Sequence, residues 1–454
     1  MTQPRDTWSG RVGFILATTG SAVGIGSIWK FPYEVGANGG TAFVLFYVLG
    51  LVLVVVPLMF AEFALGRRGQ GDAATSLSNV AAAHGASRSW ALAGLLGVVT
   101  SFLILSFYSV IGGWTIAYAV ETLIQGLPGT DPLAVQERFD DFLSSPVTLT
   151  AYHAIFLAVT ALIVAGGISG GIEAAAKVLM PILAILMIAL AAYAVIEGDM
   201  TATVNFLFKL DPESLTATVA LEALGLGFFS IGVGLGLMIT FASYAQTDIN
   251  LREVAIASVA ADCAISLLAG FAVFPIVFEH GLDPAGGAGL VFVTLPLAFA
   301  NMPFGEIAAV AFFALMFVAA LASAISILEL SVALLLPRLN WTRTRLSLVV
   351  AITCFLVGLS TVFSFNLWSN WHPLEAVEGF ATATIFDILD YVTSNIMMPV
   401  GGFAIAVFAG WIVPTRAVIA ELDLSPAGAA VLSFTLRFIV PLGIATVALA
   451  PLIG

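Results

Sequence analysis

Gly20-Ser21-Ala22-Val23-Gly24-Ile25-Gly26, running on into Ser27-Ile28-Trp29-Lys30-Phe31-Pro32, is the stretch on which the fold turns. It lies inside an apolar segment, roughly residues 11–36, long enough to cross a bilayer. Gly24 and Gly26 are two residues apart, so on a helix they point in nearly opposite directions and cannot serve one packing face. Each costs roughly 1 kcal/mol against alanine in a helix interior. Gly20 and Gly24 alone also fit the small-xxx-small spacing by which membrane helices pair. Both readings stand on this stretch taken by itself.

A second stretch separates them. Phe228-Phe229-Ser230-Ile231-Gly232-Val233-Gly234-Leu235-Gly236 lies about halfway along the chain, again in an apolar segment, again with glycines at i and i+2. Paired glycine-interrupted segments in two halves point to the binding site of a secondary transporter. Backbone freed in this way persists at membrane depth only where it lines a cavity or holds something. A substrate and its coupling ions are the expected occupants.

Composition agrees. The 454 residues are 60% hydrophobic and 9% charged, with a mean hydropathy of +1.07, so the bilayer is the solvent for most of the chain. Eleven apolar segments are read, roughly 11–36, 41–66, 90–124, 148–166, 173–196, 217–246, 252–280, 304–337, 346–364, 379–413 and 427–452. The expectation is an all-α integral membrane protein of about eleven transmembrane helices, one domain over 1–454. No cleavable signal peptide is read, because the first apolar segment contains the glycine break and leads into Lys30-Phe31-Pro32.

Lysine and arginine set the orientation. With the N-terminus inside, Arg5, Arg11, Arg67, Arg68, Arg88, Lys177, Arg252, Arg338, Arg343, Arg345, Arg416 and Arg437 fall on the cytoplasmic side, against Lys30, Arg138 and Lys209 outside. The N-terminus is therefore expected in the cytoplasm and the chain in the plasma (inner) membrane. The net charge of −13 comes largely from acids in outer loops, such as Asp131, Glu137, Asp140, Asp141, Asp211 and Glu213. That is a solvated acidic face and gives nucleic acid nothing to bind. Cys263 and Cys354 lie in apolar segments as small hydrophobes; no disulfide framework, metal cluster or organic cofactor is suggested.

Polar residues inside the spans carry the functional hypotheses. Glu62 follows Pro57 in the second segment; it either serves a site or snorkels outward beside Arg67 and Arg68. Tyr108 lies between Ile104 and Gly112-Gly113-Trp114. Asp262 and Ser266 share one face of the seventh segment, and a bare carboxylate there argues for a cation nearby. Ser323, Ser326 and Glu329 form a polar stripe in the eighth. Between these two, Gly289 to Pro303 is an apolar, proline-broken outer loop long enough to form a lid. Gly167-Ile168-Ser169-Gly170-Gly171 matches the nucleophile-elbow pattern, which needs a strand-to-helix turn and a histidine. The nearest, His153, is sixteen residues earlier, or about 24 Å along a helix. This stretch is read as a flexible loop, with a Ser169 hydrolase as the distant alternative.

Taken together, these residues resemble the neurotransmitter:sodium symporter family, whose best-known bacterial member is a leucine transporter. The motifs are Arg5 and Trp8, Gly20 to Pro32 with Asn38-Gly39-Gly40, Pro57-Leu58 with Glu62, Tyr108 with Trp114, and Phe228 to Tyr244. The resemblance implies two five-helix repeats of inverted topology, about 8–200 and 215–413, with helices 1 and 6 unwound at the midplane, and one extra helix at about 427–452. It implies a substrate site in which Ser21, Ala22, Gly24, Ile25 and Gly26 meet the main-chain end, Tyr108 donates its hydroxyl, and Phe229 and Ser230 cover it. The substrate side chain would lie among Ile25, Ile104, Gly232, Leu235, Ser323 and Ile327. Monoamine transporters place Asp where Gly24 stands, which favours a substrate with its own carboxylate.

The same likeness implies sodium, one ion or two. The first site would use Ala22, Ser27, Ser230 and Asp262, with Ser27 and Asp262 where the family has Asn. The fixed charge of Asp262 would replace bound chloride. The second would use Gly20, Val23, Ala319 and Ser323, with Ala322 where a hydroxyl is usual. Lys30 and Asp390 would gate the outside; Arg5, Trp8, Ser243 and Tyr244 the inside, where Leu336-Pro337-Arg338 replaces an acid, so that either Asp6 or Asp248 stands in or the inner gate opens more easily. The reading is sodium-coupled, chloride-independent symport of an apolar amino acid, branched or aromatic, with a sodium-independent or proton-coupled carrier as the alternative.

Overall fold

The computed structural model describes residues 6–285 and 289–453, and no strand occurs among them. Two of the spans are broken, and both breaks fall in the glycine stretches. The first consists of α1 (Arg11–Ala22) and α2 (Gly26–Ala37), whose axes differ by 55°. Val23 ends α1 in an extended conformation, φ −80° and ψ 97°. The sixth consists of α7 (Ala217–Ile231) and α8 (Leu237–Ala242). Gly232, Gly234 and Gly236 between them have φ of +72°, +88° and +73°, a region that costs an L side chain roughly 1–2 kcal/mol per residue. Three alternating glycines let the chain unwind at low cost.

The unbroken spans are α3 (Thr41–Gly69), α4 (Arg88–Gln125), α5 (Pro146–Ala165), α6 (Ile168–Glu197), α9 (Leu251–Glu279), α10 (Gly305–Leu335), α11 (Arg343–Ser364), α12 (Ile385–Ile412) and α13 (Pro426–Leu449). Counting each broken pair as one span, the eleven expected segments are all present among the described residues. Their packing repeats itself between the two sets of five. α1 lies on α9 as α7 lies on α3; α2 lies on α9 as α8 lies on α3. α6 lies on α10 as α12 lies on α4, and the third and fourth spans of each set meet, α4 on α10 and α5 on α11. Opposed pairing of equivalent spans is what two inverted five-helix repeats give.

Small residues bring the second break close to its neighbours. A Cβ on Gly66 would strike the backbone of Ile239, and one on Gly97 the backbone of Leu235, so α3 presses directly on α8 and α4 on the unwound segment. One local expectation needs correction. The stretch 167–171 is not a flexible loop: Ile168 to Glu173 form a wide π-type turn that opens α6, because Gly171 packs on the Ile163 carbonyl where a side chain would not fit. The outer loop 289–303 holds a helix, Leu290–Ala300. Its Phe292 is wedged among Trp29, Trp114, Tyr118, Phe139 and Phe313, with ring centroids 5.0–6.1 Å away.

Candidate functional site

The two breaks face one another across a small cavity, with α4 and α10 closing its sides. Where α1 stops, the Ile25 N–H has lost its helical acceptor and donates to the Tyr108 hydroxyl, 3.1 Å. Gly24 has no room for a side chain: a Cβ would sit 2.8 Å from the Tyr108 oxygen and 3.3 Å from Ser323. Ser21, Gly24, Gly26, Ile104 and Tyr108 line one part of the cavity; Phe229, Ser230, Gly232, Leu235, Ser323 and Ile327 line the rest, together with Leu237 and Met398. Sequence reasoning named all but the last two. Ala22 and Ile25, also named, are buried beside the break without lining the cavity. Leu237 directly follows the third glycine and was within reach of the motif. Met398 is an ordinary apolar residue of α12 with no distinguishing local pattern.

Beside the cavity lies a buried carboxylate. Asp262 on α9 is wholly inaccessible. Its Oδ1 accepts from the Ser27 hydroxyl at 2.6 Å and the Ser230 hydroxyl at 3.1 Å; its Oδ2 accepts from Tyr47 at 2.9 Å. Ser27 and Ser230 lie 3.0 Å apart, which ties the first break to the second. Tyr47 also reaches Ser266, 3.4 Å, and was missed because an aromatic in an apolar span is normally packing. No cationic side chain pairs with Asp262 among the described residues. A carboxylate in an apolar interior needs a counter-charge or a proton. Hydroxyl and carboxylate oxygens are the hard donors that alkali and alkaline-earth cations take.

The residues named for a second cation occupy the contact of α1 with α10. A Cβ on Gly20 would touch the Ala322 methyl at 3.4 Å, so at this point α10 offers a methyl and no oxygen. Ser323, one residue on, faces Gly24, while Val23 and Ala319 are fully buried nearby on the two helices.

Glu62 does not snorkel. It is fully buried, and its Oε1 accepts the Gly234 N–H at 2.6 Å, a donor left free by the second break. The arginines expected to draw it outward are engaged elsewhere. Arg67 bonds Glu421 at 2.7 Å and the Ile249 carbonyl at 2.7 Å, and Arg68 bonds Glu421 at 3.1 Å.

The two ends of the molecule differ. At one, the Trp8 indole N–H donates to the Phe241 carbonyl at 2.8 Å and its backbone N–H to Tyr244 at 3.2 Å. The ring is completely buried against Phe14. The Tyr244 hydroxyl donates to Glu329 at 2.9 Å, and Arg343 binds both Glu329 oxygens at 2.6 and 3.1 Å. Asp6 approaches the same guanidinium at 3.9 Å. Glu329 is thus a buried acid at this end, paired with Arg343, and Asp248 makes no ion pair among the described residues. Arg5 lies outside them. At the other end, Lys30 and Asp390 are not paired. Lys30 Nζ sits 4.9 Å above the Phe229 ring, and Asp390 accepts from Ser394 at 3.1 Å. A vestibule of about 660 Å³ opens there. Ser169 is exposed, while His153 is buried against Phe355 and 3.3 Å from its carbonyl, so the hydrolase arrangement does not assemble.

Residues 5–138 and 131–398 match the model of the sodium:neurotransmitter symporter family. The chain belongs to this family. A sodium-dependent transporter of Bacillus subtilis, itself uncharacterized, is 37% identical over 441 residues, covering 96% of this chain and 95% of its own length. A sodium-dependent transporter of Haemophilus influenzae is 32% identical, covering 91% and 90%. The crystal structure of MhsT in complex with L-phenylalanine is 38% identical, with a TM-score of 0.89 over 98% of this chain and 100% of MhsT. Membership in this symporter family makes the chain a multi-pass membrane transporter.

Proposed function

We propose that the chain is a secondary active transporter that carries an apolar amino acid, branched or aromatic, into the cell with sodium. The observation that carries this reading is the buried, uncompensated Asp262 with its ring of hydroxyls, set against a cavity lined by unwound backbone. The chemistry of that lining suits a zwitterion. Its carboxylate would take the freed amides near Gly24 and the Tyr108 hydroxyl, and its side chain would meet Ile104, Leu235 and Ile327. The likeness to a protein crystallised with L-phenylalanine supports an aromatic or similarly large side chain.

Sodium would sit between the substrate carboxylate and Ser27, Ser230, Asp262 and the Ala22 carbonyl. Because ion and substrate then share one charge balance, each raises the affinity of the other. The aspartate supplies a fixed negative charge, so chloride is not needed. Gly20, Val23, Ala319 and Ser323 would hold a second ion with one oxygen fewer than usual, since Ala322 contributes none. Chain 1–454 acts as one transport unit, its Trp8 end in the cytoplasm and its Lys30 end outside, with Lys30–Asp390 and Trp8–Tyr244 opening in alternation.

Uptake of labelled phenylalanine and leucine into proteoliposomes tests the reading. An inward sodium gradient should drive accumulation, chloride replacement by gluconate should leave it unchanged, and equal uptake in potassium would refute symport. The methyl of Ala322 against Gly20 favours the one rival, a carrier driven by protons or exchange, which would accumulate substrate under a pH gradient without sodium.

A further inference from the structure

We propose that Met398 is a specificity-determining residue of the transport site. With Phe229 it forms the wall between outer vestibule and central cavity, and its thioether sets which apolar side chains the cavity admits. The inference rests on the amino-acid transport reading above. Phe229 and Met398 are the two residues that line both spaces, and Met398 is 1% exposed. The partition is therefore two side chains thick, one from α7 and one from α12.

The backbone on which Met398 stands is fixed. A Cβ on Gly234 would lie 2.9 Å from both the Met398 carbonyl oxygen and the Gly402 nitrogen, and a Cβ on Gly401 would lie 2.5 Å from the Gly234 oxygen. Gly402 in turn closes on the Phe228 ring. The turn Met398–Gly402 thus abuts the unwound segment backbone to backbone and has no slack. On its outer side the helix is looser. Val392–Met397 is a π-type turn, and Pro399, lacking an N–H, leaves the Asn395 carbonyl without its helical donor.

The side chain is flexible by its chemistry where the backbone is held. Among the apolar residues lining the cavity, Ile104, Leu235, Leu237 and Ile327 are branched and Phe229 is a rigid ring under Lys30. Met398 alone is unbranched, with three rotatable bonds and a polarizable sulfur, the kind of side chain that refills irregular space. Adaptation to a leucine or a phenylalanine falls to it.

The experiment uses the purified full chain and measures the affinities of alanine, valine, leucine, phenylalanine and tryptophan in sodium, for the wild type and for Met398→Phe, Met398→Ala and Met398→Leu. Met398→Phe should weaken phenylalanine and tryptophan about tenfold or more relative to valine, the scale of discrimination in an apolar pocket. Met398→Ala should reverse that order. Met398→Leu, which keeps the volume and removes the flexibility, should narrow the range of accepted side chains. A packing role alone would lower all affinities by a common factor, and an unchanged rank order in both Met398→Phe and Met398→Ala overturns the inference while leaving transport intact. A wild type that binds none of the five defeats both readings.

Discussion

Asp262 is held by three hydroxyl donors and no cation among the described residues, an arrangement that is costly unless a positive charge completes it. Asp262→Asn should therefore lower sodium affinity by roughly 10–100-fold, the range seen when a metal site loses one of its supporting groups, or make transport dependent on a small anion. Titrating sodium-dependent substrate binding in chloride and in gluconate checks this, and identical curves for wild type and variant would remove Asp262 from the ion site. At this scale the sequence was legible wherever a residue type broke the local rule. An aspartate and a glycine pair stand out in apolar surroundings, whereas Tyr108 was reached through the family resemblance. Tyr47 and Met398 did not, because an aromatic and a methionine in a membrane span look the same whether they face lipid, core or cavity. Glu62 was noticed but its partner was not, since the Gly234 amide becomes a donor only once the second helix has unwound.

The broken helices are the elements on which the site depends, and their glycines differ in what they tolerate. Gly234 has a φ of +88° and backbone atoms of Met398 and Gly402 only 2.9 Å from any added Cβ, whereas a Cβ on Gly225, in α7, would meet Val447 at an ordinary 3.6 Å. Gly234→Ala should thus lose substrate binding and melt at a lower temperature, with a conformational cost alone of roughly 1–2 kcal/mol, and Gly225→Ala should match the wild type. Thermal unfolding with and without substrate measures both. Equal behaviour of the two variants would mean the second break is not required. Both breaks could be read from the sequence, because alternating glycines serve neither helix packing nor a single face. The start of α6 could not: Gly167 to Gly171 reads as loop, and only the fit of Gly171 onto the Ile163 carbonyl makes it a turn of helix.

Across the whole molecule, one end is sealed and the other open. The seal centres on Glu329, fully buried between Tyr244 and a bidentate Arg343. Removing one member of a buried pair costs about 3–5 kcal/mol, because the other charge is left alone. Glu329→Gln should release Trp8 and α8, seen as faster hydrogen–deuterium exchange across residues 6–10 and 237–246 while α5 and α11 stay protected. Unchanged exchange there would show that the seal does not depend on this pair. The sequence carried the seal only in part. It showed Trp8, Tyr244 and the missing acid, but linking Glu329 to Arg343 requires the reversal between α10 and α11, which no local pattern encodes.

The six residues of α8 make a rod about 9 Å long. At its far end Trp8 is stitched to Phe241 and Tyr244. At its near end it springs from the glycine segment pinned to Glu62. A rod of fewer than two turns does not bend in the middle, so whatever pulls the N-terminal strap away drags on the floor of the cargo hold in the same instant. Opening of the Trp8 end and loss of grip on the passenger are then a single mechanical event. A carrier built this way does not open that end and keep hold of its load.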